Sequence, residues 1–465
     1  VAPIETRTPN SPGWWLVQLS NKLSARRLKI RRLRSYMDGS APLPEGAEGL
    51  LEAYRTFQRK SRTNFGELVV EAVAERMIPT GVRVGDDDAD ADSQARRIWT
   101  ANHLDIFAPD VHADMLGVGD GYVIVGPPAG GEGTPVITRE APELVVTAHD
   151  PRRPQKIIAA MKLFRDDVAG LDYAWLFLPG QVWVAKKKAS EQGGDPEVTA
   201  HGWEWDEELS QSWPDGMGDA LPVVRFRNRR GLGEFEPHTD VLDRINYMIL
   251  QRLVIAAMQA YRQRATKGDL PEVDEEGNPI DYGALMRPGP GALWRLPEGV
   301  ELWESQTTDM TPLLSAAKDD IRDLGAVTRT PMSMLLPDGA NQTAEGAAFA
   351  REGLIFKTDD RIKRATYGWD SVYGWALRFS GSAAAVEQVR TLWAPPERYS
   401  LAERADASSK AADIPWRTRM TDIWGFAPES VDRMESERVS DQLMIAALAP
   451  VAPSGQESVP NVDEP

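Results

Sequence analysis

The chain has 465 residues, no cysteine, and 70 acidic against 53 basic side chains, a formal charge of −17 at neutral pH. That length has room for about three ordinary domains with a sizeable core. The missing cysteine excludes disulfides, thiolate metal sites and cysteine catalysis, and the acid excess argues against a protein that wraps DNA in a global positive field.

Taken in order, the chain opens with a Pro-rich stretch, Pro3 to Pro12, expected to be mobile. No secretory leader is visible at Val1. Leu16, Leu19, Leu23, Ile30, Leu33 and Met37 then form a helical stripe, and Lys22, Arg26, Arg27, Lys29, Arg31, Arg32 and Arg34 fill the other face. Three readings of this candidate basic contact helix stay open: a solvated or inter-subunit salt-bridge surface, a nucleic-acid-facing patch, or a membrane-surface helix. A second helix is expected from about Leu50 to Met77, ended by Pro79-Thr80-Gly81.

The acidic run Asp86 to Asp92 reads as a solvated loop. It fails as a calcium loop, because Ala91 stands where glycine is needed and Arg97 where a bidentate glutamate belongs. Ser93 to Gly117 reads as helix interrupted near Pro109. From Tyr122 to Phe226 the period changes to that of strands: Val136 to Thr138, Glu143 to His149, Lys156 to Phe164, Tyr173 to Leu178 and Val182 to Ala185. Pro179-Gly180 and Asp166-Asp167 mark connections.

Thr239 is a candidate N-cap for a rod carrying Leu242, Ile245, Ile249, Leu253, Ala256 and Ala260, running to Lys267-Gly268, about 40 Å in all. A returning rod has Thr311 as cap and Pro312 at its first position, with Leu314, Ala317, Ile321, Leu324 and Thr328 in one stripe ending at Thr330-Pro331. Narrow apolar stripes suit helices packed along a seam, including copies from other subunits. Between the rods a small acidic module spans Asp269 to Asp309, with Asp269, Glu272, Asp274, Glu275 and Glu276 at its start. Met332 to Thr343 is a Pro-Asp-Gly-broken loop, leading into a third helix that carries Ile355, Ile362, Ala365, Trp369, Val372, Ala376 and Phe379. Further helices are expected over Leu401 to Asp413, Trp416 to Gly425 and Pro428 to Leu448, before a tail too poor in apolar residues to order itself. The fold class is α+β, mainly helical.

This order resembles the portal (head-to-tail connector) proteins of tailed bacteriophages, in the family typified by long-tailed phages of Gram-positive hosts. The residues that carry it are Trp99 to Asn102, Met115 to Val125, Glu143 to Asp150, Leu221 to Phe226, Thr328 to Pro331 and Thr343 to Ala347. The resemblance implies a portal fold with clip, stem, wing and crown regions, forming a ring with an axial channel. On it, residues 1–120 are the helical part of the wing and 121–235 its β-rich part. Residues 236–266 are the first stem helix, 267–308 the clip and 309–330 the second stem helix. Residues 331–345 are the tunnel loop, 346–395 the long helix of the wing, 396–448 the helical crown and 449–465 a disordered tail.

The same resemblance implies a dodecamer at one capsid vertex, the conduit for genome packaging and ejection. Pro337, Asp338, Gly339, Asn341, Gln342 and Thr343 would face double-stranded DNA in the channel, without sequence preference. The acidic start of the clip would face the motor or a head-tail adaptor. The expected partners are further copies of the chain, the terminase large subunit, the adaptor, and the major capsid and scaffolding proteins, with assembly in the host cytoplasm and residence in the virion.

No catalytic constellation supports an enzyme. There is no phosphate-binding G-x-x-x-x-G-K-[ST], no G-x-S-x-G, and no metal-ligand spacing among the five histidines, so no cofactor or metal is expected. No apolar run reaches the ~18 residues of a membrane span; the best, Met248 to Ala260, is broken by Arg252. Two rivals remain. A carbohydrate-binding or glycoside-hydrolase protein would use Trp175, Trp183, Trp203, Trp205 and Trp213 of the β module, although sheet-core and inter-subunit packing is the stronger explanation of them. A minor capsid or adaptor protein without a channel would have no need of the insertion between the two rods.

Overall fold

The computed structural model describes residues 4–44, 52–85, 89–128, 133–190, 195–196, 202–213, 218–260, 264–273, 276–286, 298–304, 306, 309–336, 344–381, 388–397, 401–426 and 428–448. Helix α1, Pro12–Met37, starts where the Ser11 hydroxyl accepts from the Trp14 N–H at 3.2 Å with Pro12 in the first turn. Its stripe of Leu16, Leu19 and Leu23 packs on one face of a five-stranded sheet, against Val146, Met161, Leu163 and Leu176.

That sheet is an antiparallel meander of β4 (Val145–His149), β5 (Ile157–Asp166), β6 (Leu171–Leu178), β7 (Gln181–Lys188) and β8 (Glu204–Ser212). Its other face meets a three-stranded sheet in the order β3 (Val136–Glu140), β2 (Asp120–Gly126), β9 (Val223–Arg227), through Tyr122, Ile124 and Val223. The β module is thus a sheet covered on both faces, as its near-continuous apolar runs require. Its tryptophans are part of that cover: Trp183, Trp203 and Trp205 pack with the α1 side, Trp175 and Trp213 with the other.

The main core gathers around the long helix α10, Ala344–Phe379, where Trp369 is fully buried among Phe226, Trp99 and His112. Here several expectations are corrected. The second helix is two, α2 (Glu52–Lys60) and α3 (Phe65–Ala74), because the turn between them is pinned to a later helix: buried Asn246 Oδ1 accepts from the N–H and the hydroxyl of Thr63, at 3.0 and 2.8 Å. Pro79 to Gly81 opens a strand, β1 (Pro79–Val84), paired antiparallel with β12 (Val389–Trp393). The acidic run continues into helix α4, Ala89–Ala101, which includes Asp90 and Asp92. The break before α5, Leu104–Val118, falls at left-handed His103 (φ 53°), and Pro109 lies inside α5 without ending it.

The first rod, α6, is Thr239–Ala260, a 22-residue helix of about 33 Å. It stops short of Lys267 because strand β10 (Arg264–Lys267) begins there and pairs antiparallel with β11 (Glu301–Glu304), two short strands that periodicity missed. A one-turn helix, α7 (Tyr282–Leu285), lies between them. The returning rod α8 is Thr311–Thr328, with Met310 rather than Thr311 at the cap position, and the Asp309 carboxylate takes the free Thr311 N–H at 2.9 Å. A short helix, α9 (Met332–Leu335), leads toward α10. The chain closes with α11 (Leu401–Lys410), α12 (Trp416–Thr418) running into a π-helical turn at Arg419–Ile423, and α13 (Pro428–Leu448).

Candidate functional site

The candidate site is the helix pair α6/α8 with its hairpin end and the charged junction at its other end. Arg244, early in α6, reaches Asp320 at 2.7 Å and Asp323 at 3.3 Å, late in α8. The opposite ends of the two helices run into the paired strands β10 and β11, so the helices are antiparallel. The inner half of α6 is anchored in the body: Leu242, Ile245 and Leu250 are buried, and the Tyr36 hydroxyl donates to Asp243 at 2.7 Å. Beyond Leu250 none of the described side chains of α6 is buried, and in α8 only Ile321, Leu324, Gly325 and Thr328 are. Yet the outer parts remain apolar. Leu253, Val254 and Ile255 are half-buried, and Leu314 is 41% exposed.

At the hairpin, residue 264 is in register with Glu304, and Lys267 faces Glu301 across the ladder. A cross-strand pair of opposite charges such as Lys267 and Glu301 helps to fix register and contributes a few tenths to about 1 kcal/mol. Trp303 on the same hairpin is 55% exposed.

At the inner end, α8 finishes in a left-handed Arg329 (φ 55°), with the Thr330 N–H bonded to the Gly325 carbonyl at 2.9 Å. The Thr328 carbonyl oxygen accepts from Lys357 Nζ of α10 at 2.9 Å. Lys357 also pairs with Glu234 at 2.9 Å, and Arg361, one turn on, grips the same carboxylate at 2.6 Å. All three side chains are under 10% exposed. Asn228 Nδ2 donates to Glu234 at 3.0 Å, which helps to satisfy the carboxylate. Burial pushes the Glu234 carboxyl up, but Lys357 and Arg361 outweigh it and hold it below the ordinary glutamate range. Burial depresses Lys357, with Arg361 and Arg329 adding to the effect and Glu234 opposing it. Because Glu234 precedes α6, Thr328 ends α8 and Lys357 lies on α10, this cluster locks both rods to the long helix.

The sequence-derived site residues fall out unevenly. Pro337, Asp338, Gly339, Asn341, Gln342 and Thr343 lie outside the described residues, as do Asp274 and Glu275. Asp269, Glu272 and Glu276 are exposed beside the hairpin.

The basic face of α1 is engaged within the chain. Arg26 pairs with buried Asp120 at 2.6 Å, Lys29 with Glu236 at 2.6 Å, Arg31 with Asp195, and Arg34 with buried Asp114 at 2.8 Å. Lys22 and Arg27 donate to the carbonyls of Thr147 and Glu143, and Arg32 bonds the Tyr36 side chain. An intramolecular seam is a use that none of the three readings of this helix contained. What the sequence reading missed altogether is the Glu234 cluster, whose members Glu234 and Arg361 are 127 positions apart.

Among the described residues no helix is long and apolar enough to cross a membrane, and no group of three or more His, Asp or Glu is placed to hold a metal ion.

Comparison with known proteins adds the following. Residues 18–442 match the family model described as phage portal protein, SPP1 Gp6-like. The portal protein of Mycobacterium phage D29 is 27% identical over 383 residues, covering 75% of this chain and 72% of the relative. That of Mycobacterium phage L5 is 25% identical over 383 residues, covering 76% and 73%. Among solved structures, a chain from the neck of an empty gene transfer agent particle aligns with a TM-score of 0.44 at 14% identity, over 86% of this chain and all of the other. A chain from the neck of the native particle aligns at 0.43 and 12%, over 84% and 98%.

Proposed function

The chain belongs to the SPP1 Gp6-like family of phage portal proteins, and from that premise we propose that it forms a closed ring of twelve copies at one capsid vertex, with an axial channel through which DNA enters and leaves. In this reading α6 and α8 are the stem, residues 267–308 the clip, 331–345 the tunnel loop, 396–448 the crown, and the β module with the helices around it the wing. A separate motor, the terminase large subunit, drives the DNA and docks on the clip. Head-tail adaptors use the same end later, and capsid and scaffolding proteins surround the ring.

The observation that carries this reading is the uncovered apolar flank of the helix pair. Leu253, Val254 and Ile255 are only half-buried and Leu314 is exposed at the outer end of the rods, so part of their apolar surface is left for a neighbour to cover. Complete burial from water is worth about 1.5–3 kcal/mol for such a side chain; these partly covered ones would gain a fraction of that each, and each copy adds its set, so lateral packing of stem pairs supplies a cumulative drive for closure. The acidity fits a conduit rather than a clamp: a ring of about twelve copies carries about 200 negative charges, which lets DNA slide. The exposed Asp269, Glu272 and Glu276 beside the hairpin give the clip a face that repels phosphates and suits a basic partner surface. Electron micrographs of the purified chain viewed down the particle axis test this reading: a closed ring with a central hole is expected, and compact particles without a hole would refute it.

A further inference from the structure

Two clefts on this chain have opposite charge and share no residue. The first, about 540 Å³, lies at the inner end of the stem pair. Its Glu234 is already neutralised by Lys357 and Arg361, and Asp360 is held by Arg361 and Arg364. What remains is an uncompensated trio, Arg229, Arg230 and Arg329, all exposed and, among the described residues, none with a carboxylate partner. Arg230 (φ 60°) and Arg329 (φ 55°) hold left-handed backbone that glycine would adopt without strain. Beside them Val327 and Phe356 are 50% and 62% exposed. The site is an apolar centre with a cationic rim.

The second cleft, about 320 Å³, lies between α3 and α5. Glu71, Glu75, Asp105 and Asp110 line it, and no Lys or Arg does, although Asp110 reaches Arg139 at 3.6 Å and Asp105 accepts from Trp99 Nε1 at 2.5 Å. Burial, and then the like charges of Glu67 and Glu75, push the Glu71 carboxyl up, so an approaching cation would relieve it. Ile78 lines this cleft and is 43% exposed, and Ile106 of α5 is 66% exposed. This is the complementary design, an apolar centre with an anionic rim.

Cyclic rings are built from heterologous contacts, in which a patch on one copy meets a different patch on the next. Like-charged copies at −17 each must bring opposite local charges together to approach at all. We propose that the arginine-rimmed cleft of one copy receives the acidic α3/α5 patch of the neighbouring copy, with Arg229, Arg230 and Arg329 meeting Glu71 and Asp105 around Val327, Phe356, Ile78 and Ile106. The inference rests on the ring reading and specifies which surfaces close the ring.

Charge reversal tests it. Arg229→Glu with Arg230→Glu, and separately Glu71→Arg with Asp105→Arg, should each lower the ring fraction in native mass spectrometry about tenfold or more, and the four changes together should restore it. The chain contains no cysteine, so a chain carrying both Arg230→Cys and Glu71→Cys should give a ladder of disulfide-linked multimers on oxidation, while neither single variant does. Rings in the wild type that survive both reversals, with no ladder from the cysteine pair, overturn this interface and leave the ring intact. A wild type that never forms rings overturns the ring reading itself. Reversals of the arginines that leave the ring untouched but abolish binding of a short DNA duplex would overturn the proposal by making the cleft a phosphate contact.

Discussion

Lys357 Nζ sits 2.9 Å from the carbonyl oxygen of Thr328, the last residue of the returning rod, and so joins the end of α8 directly to the long helix α10. The same ammonium is 2.9 Å from Glu234, just ahead of the other rod. One buried cation therefore fixes the angle at which the helix pair leaves the body.

Removing that cation is expected to be costly. Lys357→Met takes one of two buried cationic partners from Glu234 and the donor from Thr328, and a broken buried ion pair costs about 3–5 kcal/mol. Denaturant unfolding, compared at equal oligomeric state, reads the loss. Because the folded-state carboxyl of Glu234 titrates below the 4.5 of a free glutamate, its contribution is full above that value and is lost as pH falls through the folded value.

Arg244 makes the contrasting case. It bonds Asp320 and Asp323 from a side chain that is 50% exposed, so Arg244→Ala should cost no more than about 1 kcal/mol in the same assay.

His112 is fully buried, accepts from Trp369 Nε1 at 2.9 Å, and burial lowers its pKa from 6.5 to about 3. The unfolded chain binds a proton at this residue between those values and the folded chain does not, so stability falls as pH drops from 6.5 toward 3. His112→Leu should lose about 1–3 kcal/mol at neutral pH by orphaning the Trp369 N–H. It should also show a shallower decline of stability with acid than the wild type, as measured by thermal melting across that range.

Gly368 lies in the middle of α10, where helix propensity alone favours alanine by about 1 kcal/mol. A Cβ there would stand 2.4 Å from the ring of Phe226, itself wedged at 5.0 Å against Trp369. Gly368→Ala should therefore destabilise by about 1–3 kcal/mol, and a melting temperature at or above that of the wild type would show that the ring can move aside.

The two rods could be read from sequence because each carries a long 3.6-residue period between plain stop signals, and the structure sets them at Thr239–Ala260 and Thr311–Thr328. Five strands of the β module were recognisable from short β-rich runs between turn residues, with Pro179-Gly180 turning at φ 77° on Gly180, whereas β8 (Glu204–Ser212), a mostly polar strand, was not. The hairpin β10/β11 was not, because four-residue strands hold too few alternations to register. The split between α2 and α3 was invisible locally, since the groove that stops the helix is set by Asn246, 183 positions away from Thr63. The Glu234 cluster and the use of the α1 cations were hidden in the same way. A charged side chain in sequence declares its sign but not its partner, and those partners are supplied by tertiary packing.

The account stands most directly on the number of copies. Native mass spectrometry of the intact purified chain, with particle concentration and salt varied, should give a closed assembly of about twelve chains with few intermediate sizes. A chain that remains monomeric throughout, or that stops at a defined dimer, would contradict it.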